Sequence, residues 1–236
     1  QAKPGSRWAY HYTPYAVLEK VLEKATEQSL QEFFKSRIAD PIGMNGFWQK
    51  TGERNIFYSS PRSFAKFGLL LLTNGNWEQT KIWSGGYFSN LTKPSQKSNP
   101  SFGYLTWLNG QSSYRLPGIQ KPFFGSLVPS APSDLYMAVG EGGQLLMVVP
   151  SERLVIVRMG SAKDNPDASF VLIREFWDRE LIPRSFPSTP RRCVGRHRSG
   201  LAAGAVGVRG ATPAASAVSL SWIGEAAGAA SLVMTR

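Results

Sequence analysis

The chain has 236 residues, of which 42% are hydrophobic, 12% aromatic and 18% charged. That is enough apolar sequence to build one sizeable domain or two small ones, and too much for wholesale disorder. Its net charge of +11 is uneven, because residues 186–236 hold six arginines against a single acid, Glu225. The rest is moderately basic, which bears on solubility and encounter with anions and does not mark a nucleic-acid binder. The longest apolar runs, at 69–72 and 145–149, fall far short of the ~18 residues of a membrane-spanning helix. A lone cysteine, Cys193, excludes an internal disulfide and a multi-cysteine metal site, and two histidines, His11 and His197, argue against a histidine-based zinc enzyme. No metal or organic cofactor is expected.

Both ends stand out. Residues 1–8 carry neither an initiator methionine nor the apolar stretch of a signal peptide. They read as the middle of a domain, with Trp8 and Tyr10 lacking anything before them to pack against, so preceding sequence is expected. Beyond Ser185 the composition shifts: residues 186–236 contain no Lys, Asp, Asn, Gln or Tyr, and 18 of 51 are Ala or Gly. Such sequence has little to bury. Two readings stand, a flexible basic tail touching anions through Arg191, Arg192, Arg196 and Arg198, or a non-native extension. Both place it outside a domain of residues 1–185.

Within that domain, Thr13-Pro14 opens a helix, and Tyr15, Leu18, Val21, Leu22 and Ala25 follow at helical spacing. Ser29 with Glu32 three residues later forms a capping-box pattern for a second helix through Leu30, Phe33 and Phe34. It is expected to stop at Asp40-Pro41, since the residue before proline is pushed out of the helical region. Ser60-Pro61 starts a third helix through Phe64, Phe67 and Leu71, closed by Asn74-Gly75. Residues 84–133 are rich in Ser, Pro, Gly and Asn, with one strand expected at 104–108. Apolar runs at 135–139, 144–149 and 154–159 predict strands, the last two joined by a turn at Pro150-Ser151-Glu152-Arg153. A helix over 168–181 places Phe170, Ile173, Trp177 and Leu181 on one side. The fold class is α+β, an antiparallel sheet flanked by helices.

Three strings invite hydrolase chemistry. Ser63-Phe64-Ala65-Lys66 matches Ser-x-x-Lys, where a lysine one turn on could take the serine proton. With 26 serines and 11 lysines about one such match arises by chance, and Ser63 sits in the first turn of an apolar helix. Lys50-Thr51-Gly52 matches a motif that needs a strand edge, and no strand signal surrounds it. More telling is Gly140-Glu141-Gly142-Gly143-Gln144 between two strands. Three glycines there bare the backbone, so a substrate carbonyl can approach main-chain N–H donors. The alternative is a glycine-rich hairpin without a ligand.

Several segments together resemble the serine β-lactamase and penicillin-recognising hydrolase family, in its class C-like branch of esterases, D-aminopeptidases and 6-aminohexanoate-dimer hydrolases. They are the stretch from Pro4-Gly5 to Tyr10-His11-Tyr12, then Asp40-Pro41-Ile42-Gly43-Met44, and the run from Tyr58 to Gly68. Phe102-Gly103-Tyr104-Leu105-Thr106-Trp107 and Gly140-Glu141-Gly142-Gly143-Gln144 with Val155 to Gly160 follow in order. The resemblance covers residues 4–182.

What it implies is acyl transfer: a serine attacks an amide, ester or lactam carbonyl, and water later releases the acyl group. Tyr10 then matches the tyrosine that acts as general base or shares the proton with the lysine of Ser-x-x-Lys, a role for which a phenol of ordinary pKa near ~10 needs a neighbouring cation. Glu141 matches the position whose backbone N–H helps form the oxyanion hole. Tyr12, Gly140, Gly142, Gly143 and Gln144 match substrate-binding positions. The resemblance also has departures. Tyr12 stands where the family has Asn, and Gly140-Glu141-Gly142 lacks a cationic or imidazole side chain, so Glu141 is expected to point away and offer only its backbone. The family's Ser-x-x-Lys precedes the Tyr10 segment, so the nucleophile is expected upstream of Gln1 and little hydrolysis from this chain alone. The alternative is a non-catalytic relative that binds ligands in the same cleft. The partner is a small-molecule substrate; no nucleic acid is expected, although the arginine-rich stretch leaves contact with one, or with a membrane surface, as a weaker third reading. The resemblance favours a periplasmic or extracellular setting, and the oligomeric state stays open.

Overall fold

A computed structural model describes residues 2–3, 5–11, 13–52, 54–161, 168–179, 219–222 and 230–235. Helix α1 spans Thr13–Thr26 as the spacing predicts, yet none of its residues is buried. Val17, Leu18 and Val21 each keep about half their surface in water. Ser29 caps α2 (Leu30–Phe34) with a complete capping box. Proline does not end this helix. The chain passes through a π-helical turn, Lys35–Ala39, into α3 (Asp40–Ile42), where Pro41 occupies the first turn. The wider turn accommodates a residue with no N–H to give. Gly43, at φ 62°, is the actual stop.

A hairpin of β1 (Gly46–Thr51) and β2 (Arg54–Ser59) follows. Lys50 and Thr51 therefore lie on a strand, contrary to the sequence reading, but on a separate two-stranded sheet. Aromatic side chains explain the pairing: Phe34 packs on Phe57 at 4.8 Å, and Trp48 on Phe57 at 5.1 Å. Helix α4 (Pro61–Leu72) is capped by Ser60. It closes with Asn74 and Gly75 both at positive φ and the Gly75 N–H bonded to the Leu70 carbonyl. A two-residue pair, β3 (Asn76–Trp77) and β4 (Thr80–Lys81), precedes α5 (Gly85–Leu91).

The 84–133 stretch holds α5 and three short strands: β5 (Trp107–Leu108), β6 (Ser113–Tyr114) and β7 (Phe123–Phe124). The strand expected at 104–108 is reduced to its last two residues because Leu105 adopts φ 54°. Buried amides substitute for a ladder here. The Asn109 side chain accepts from the Val128 N–H and donates towards the Val128, Ala131 and Pro132 carbonyls, while Asn99 bonds both backbone groups of Arg115.

Strands β8 (Tyr136–Val139), β9 (Leu145–Val149) and β10 (Leu154–Met159) form the meander that the apolar runs predict. The sheet order is β11-β12-β10-β9-β8-β5, all neighbours antiparallel. Here β11 (Ser219–Trp222) and β12 (Ala230–Thr235) belong to the stretch set outside the fold on composition, and for these residues that expectation is amended. Both sheet faces are covered, which is why β9 and β10 read as continuous apolar runs. Met137, Leu145, Met147, Leu154 and Ile156 pack with Trp107, Trp8 and the α6 residues Phe170 and Ile173, α6 being Ala168–Asp178. Tyr136, Leu146, Val148, Val155 and Val157 pack with Ala65 and Leu71 of α4 on the other.

Candidate active site

The glycine corner joins β8 to β9 through a short 3-10 turn, Glu141–Gly143, with Gly142 at φ 71° and Gly143 at φ 82°. Only glycine enters that region without strain, so two of the three glycines are required by the turn itself. Side chains from elsewhere fix its shape. The Ser169 hydroxyl on α6 donates to the Gly140 carbonyl at 3.1 Å. The Arg158 guanidinium on β10 donates to the Gly143 carbonyl at 2.6 Å, and partial burial draws its pKa below the usual guanidinium range. Gln144 makes a two-way bond with Gly160, donating to its carbonyl at 2.6 Å and accepting its N–H at 3.1 Å. Side chains of β10 and α6 thus hold two carbonyls of the corner.

Glu141 is exposed and bonds Arg54 at the start of β2, Nη1 to Oε2 at 2.7 Å. This pair was not legible in the sequence. The two residues are 87 apart, and Arg54 carried no local signal beyond its place after a Thr-Gly-Glu turn. The cation that the sequence reading found missing from the corner thus comes from another element. The Glu141 carboxylate is engaged in that pair.

Tyr10 sits on the α6 side of the sheet. Its ring stacks on Trp107 at 6.1 Å and 27° and meets Phe102 edge-on at 6.0 Å, beside Trp8 and Tyr15. Trp107 in turn meets Phe170 at 4.8 Å, next along α6 from the Ser169 that holds Gly140. The connection between Tyr10 and the glycine corner therefore runs along one face, through Trp107 and α6. Tyr12 lies outside the described residues. The Ser-x-x-Lys string is occupied structurally: buried Ser63 accepts the Asn45 N–H at 3.2 Å, and Lys66 donates to the Gly43 carbonyl. Both hold the turn between α3 and β1. Among the described residues no cluster of His, Cys, Asp and Glu could hold a metal ion, and no helix is long and apolar enough to cross a membrane.

The sequence model of the beta-lactamase family matches residues 1–175, which takes in every element from α1 to most of α6. The chain belongs to the beta-lactamase family. Among solved structures, this beta-lactamase-family chain is similar to one described as a 6-aminohexanoate-dimer hydrolase from Bacillus anthracis, with TM-score 0.58 and 21% identity over 77% of this chain and 46% of that one. It is also similar to a beta-lactamase from Mycobacterium bovis, with TM-score 0.57 and 17% identity over 76% and 65% respectively. At such identities the likeness is one of fold, and it bears out the α+β reading. The chain spans about half to two-thirds of the length of these structures. Comparison with curated proteins returns no match.

Proposed function

We propose that this beta-lactamase-family chain carries the oxyanion and proton-transfer side of a serine hydrolase acting by acyl transfer on an amide, ester or lactam. The observation that carries the reading is the braced glycine corner, a run of bare backbone at the end of buried strands within the matched region. In this reading a serine hydroxyl attacks the carbonyl carbon. The Glu141 N–H donates to the oxygen as negative charge develops there, and Tyr10 takes the serine proton and returns it to the leaving group. Water then adds to the acyl carbon and releases the acid. Gly140, Gly142, Gly143 and Gln144 shape the rim, and Tyr12 meets the substrate.

The attacking serine is not Ser63, whose hydroxyl already serves a backbone N–H inside the fold. In this proposal it stands in a Ser-x-x-Lys upstream of the Tyr10 segment. Treatment of this chain with a fluorophosphonate, followed by peptide mass spectrometry, is expected to leave Ser63 unlabelled; a stoichiometric adduct there overturns the assignment. In the chain joined to its upstream sequence, Tyr10→Phe is expected to lower p-nitrophenyl ester hydrolysis about 100-fold, and an unchanged rate removes Tyr10 from the chemistry.

The Arg54–Glu141 pair favours a second reading, ligand binding without turnover, because it sets a charged couple beside the proposed oxyanion site. Saturable binding of an amide or lactam with no acyl adduct, in a chain that includes its upstream sequence, would select it.

A further inference from the structure

Among the described residues two guanidinium groups reach the glycine corner, and they meet different partners there. Arg158 is turned to the main chain, donating to the Gly143 carbonyl at 2.6 Å. Arg54 is turned to a charge, its Nη1 lying 2.7 Å from Glu141 Oε2. That carboxylate belongs to the residue whose N–H serves the substrate oxygen in the acyl-transfer reading. It hangs on its own backbone by three single bonds, so no rotamer takes it far from that N–H.

This placement has an electrostatic sign. A carbonyl oxygen gains negative charge on the way to the transition state, and a carboxylate close by disfavours it. A cation held on the carboxylate turns the lone charge into a dipole, whose field falls away faster with distance. Among the described residues, Arg54 is the only cation in an ion pair with Glu141. The pair adds little to holding the hairpin, since both side chains are exposed and Phe57 of β2 already packs on Phe34 of α2 at 4.8 Å.

We propose that Arg54 is a positioning residue for acyl transfer, acting through Glu141: it neutralises the carboxylate of the residue that donates to the oxyanion. The corner then meets developing negative charge with an N–H and without a net negative side chain. This role rests on the acyl-transfer reading.

Hydrolysis of p-nitrophenyl acetate, a neutral ester, by the chain joined to its upstream sequence tests it. There kcat/KM is expected to follow the net charge of the couple. Arg54→Gln, which leaves the carboxylate alone, is expected to lower it about tenfold, and Arg54→Lys to keep most of the rate. Glu141→Gln, which leaves the guanidinium alone, is expected to raise it about threefold. Adding Glu141→Gln to Arg54→Gln is expected to restore most of what the latter loses. Raising the salt from about 0.1 M to about 1 M shortens the screening length from about 10 Å to about 3 Å, and both single effects are expected to shrink.

The proposal is overturned if Arg54→Gln matches the parent, if Arg54→Lys is as slow as Arg54→Gln, or if salt leaves the effects unchanged. It is overturned too if Glu141→Gln fails to raise kcat/KM, or if the double variant is no faster than Arg54→Gln; equal losses in the two single variants are the mark of a pair that only holds the loop. Should Arg54→Gln not fold, the direction of the Glu141→Gln effect decides alone. A parent that turns over no ester fails the acyl-transfer reading, and this role with it, whereas an active parent whose single variants move together fails this role alone.

Discussion

Arg54 and Glu141 form an ion pair at 2.7 Å that fastens the tip of the β1–β2 hairpin to the glycine corner of the main sheet. Both side chains are well exposed, at 46% and 69%, so the pair orients more than it stabilises. Exposed pairs of this kind are worth about 0.5 kcal/mol. Arg54→Gln is therefore expected to change urea-unfolding stability by less than about 1 kcal/mol, while amide exchange at Glu141 and Gly142 quickens. A large stability loss with unchanged exchange would show that the hairpin is held otherwise.

Gly68 lets α4 approach the sheet. A Cβ there would lie 2.4 Å from Val155 Cγ1 and 2.8 Å from Leu146 Cδ1, and both neighbours are buried. Alanine gains about 1 kcal/mol of helix propensity, but overpacking a tight core costs about 1–3 kcal/mol. The steric term wins, so Gly68→Ala is expected to lower the unfolding midpoint despite being the better helix former. A raised midpoint in thermal denaturation would mean that α4 slides without penalty.

Asn109, 2% exposed, satisfies the backbone of residues 128–132 with both ends of its amide. Asn109→Ala removes these bonds and orphans the Val128 N–H, while the Val128 and Pro132 carbonyls keep the Ala131 and Leu135 N–H groups. An orphaned buried group costs about 1–3 kcal/mol, so a loss of about 1–3 kcal/mol is expected. A chemical-denaturation loss below 1 kcal/mol would mean that water enters and replaces the amide.

Glu32 supplies a pH dependence with a defined sign. Its carboxylate accepts from the Ser29 hydroxyl at 2.7 Å and from the Ser29 N–H at 3.0 Å, and these bonds, the hydroxyl's first, hold its pKa below the usual carboxylate value. The contribution is thus fully present above the unfolded-state pKa and is lost as pH falls through the lower folded one. Ser29→Ala is expected to move the Glu32 titration, followed by NMR, part of the way back to the ordinary carboxylate position, since the residue-29 N–H still donates. An unmoved titration would assign the shift to something other than the cap.

Local signals served the sequence reading well. Ser29 with Glu32, Ser60-Pro61 and Asn74-Gly75 each act within a few residues, and each marks a helix boundary that the structure keeps. The strands β8 to β10 were legible because burial on both faces demands unbroken apolar runs. What failed was whatever a distant element decides. Pro41 is tolerated because a π turn precedes it, and Lys50 joins a strand because Trp48 and Phe57 find Phe34. The 84–133 stretch is organised by buried amides that leave no periodic trace. The same divide runs through the candidate site. The glycine corner announces itself within five residues, whereas Arg54, Arg158 and Ser169 reach it from three other elements.

The pairing of β12 along β10 has one more implication. All six registered positions of β10, from Leu154 to Met159, find a backbone counterpart in Ala230–Thr235. A protein shortened to its first 185 residues would present that strand as a raw border of amides and carbonyls flanked by valine and isoleucine. Such a border recruits strands from other molecules, so the shortened protein should cloud and sediment where the whole chain stays dispersed.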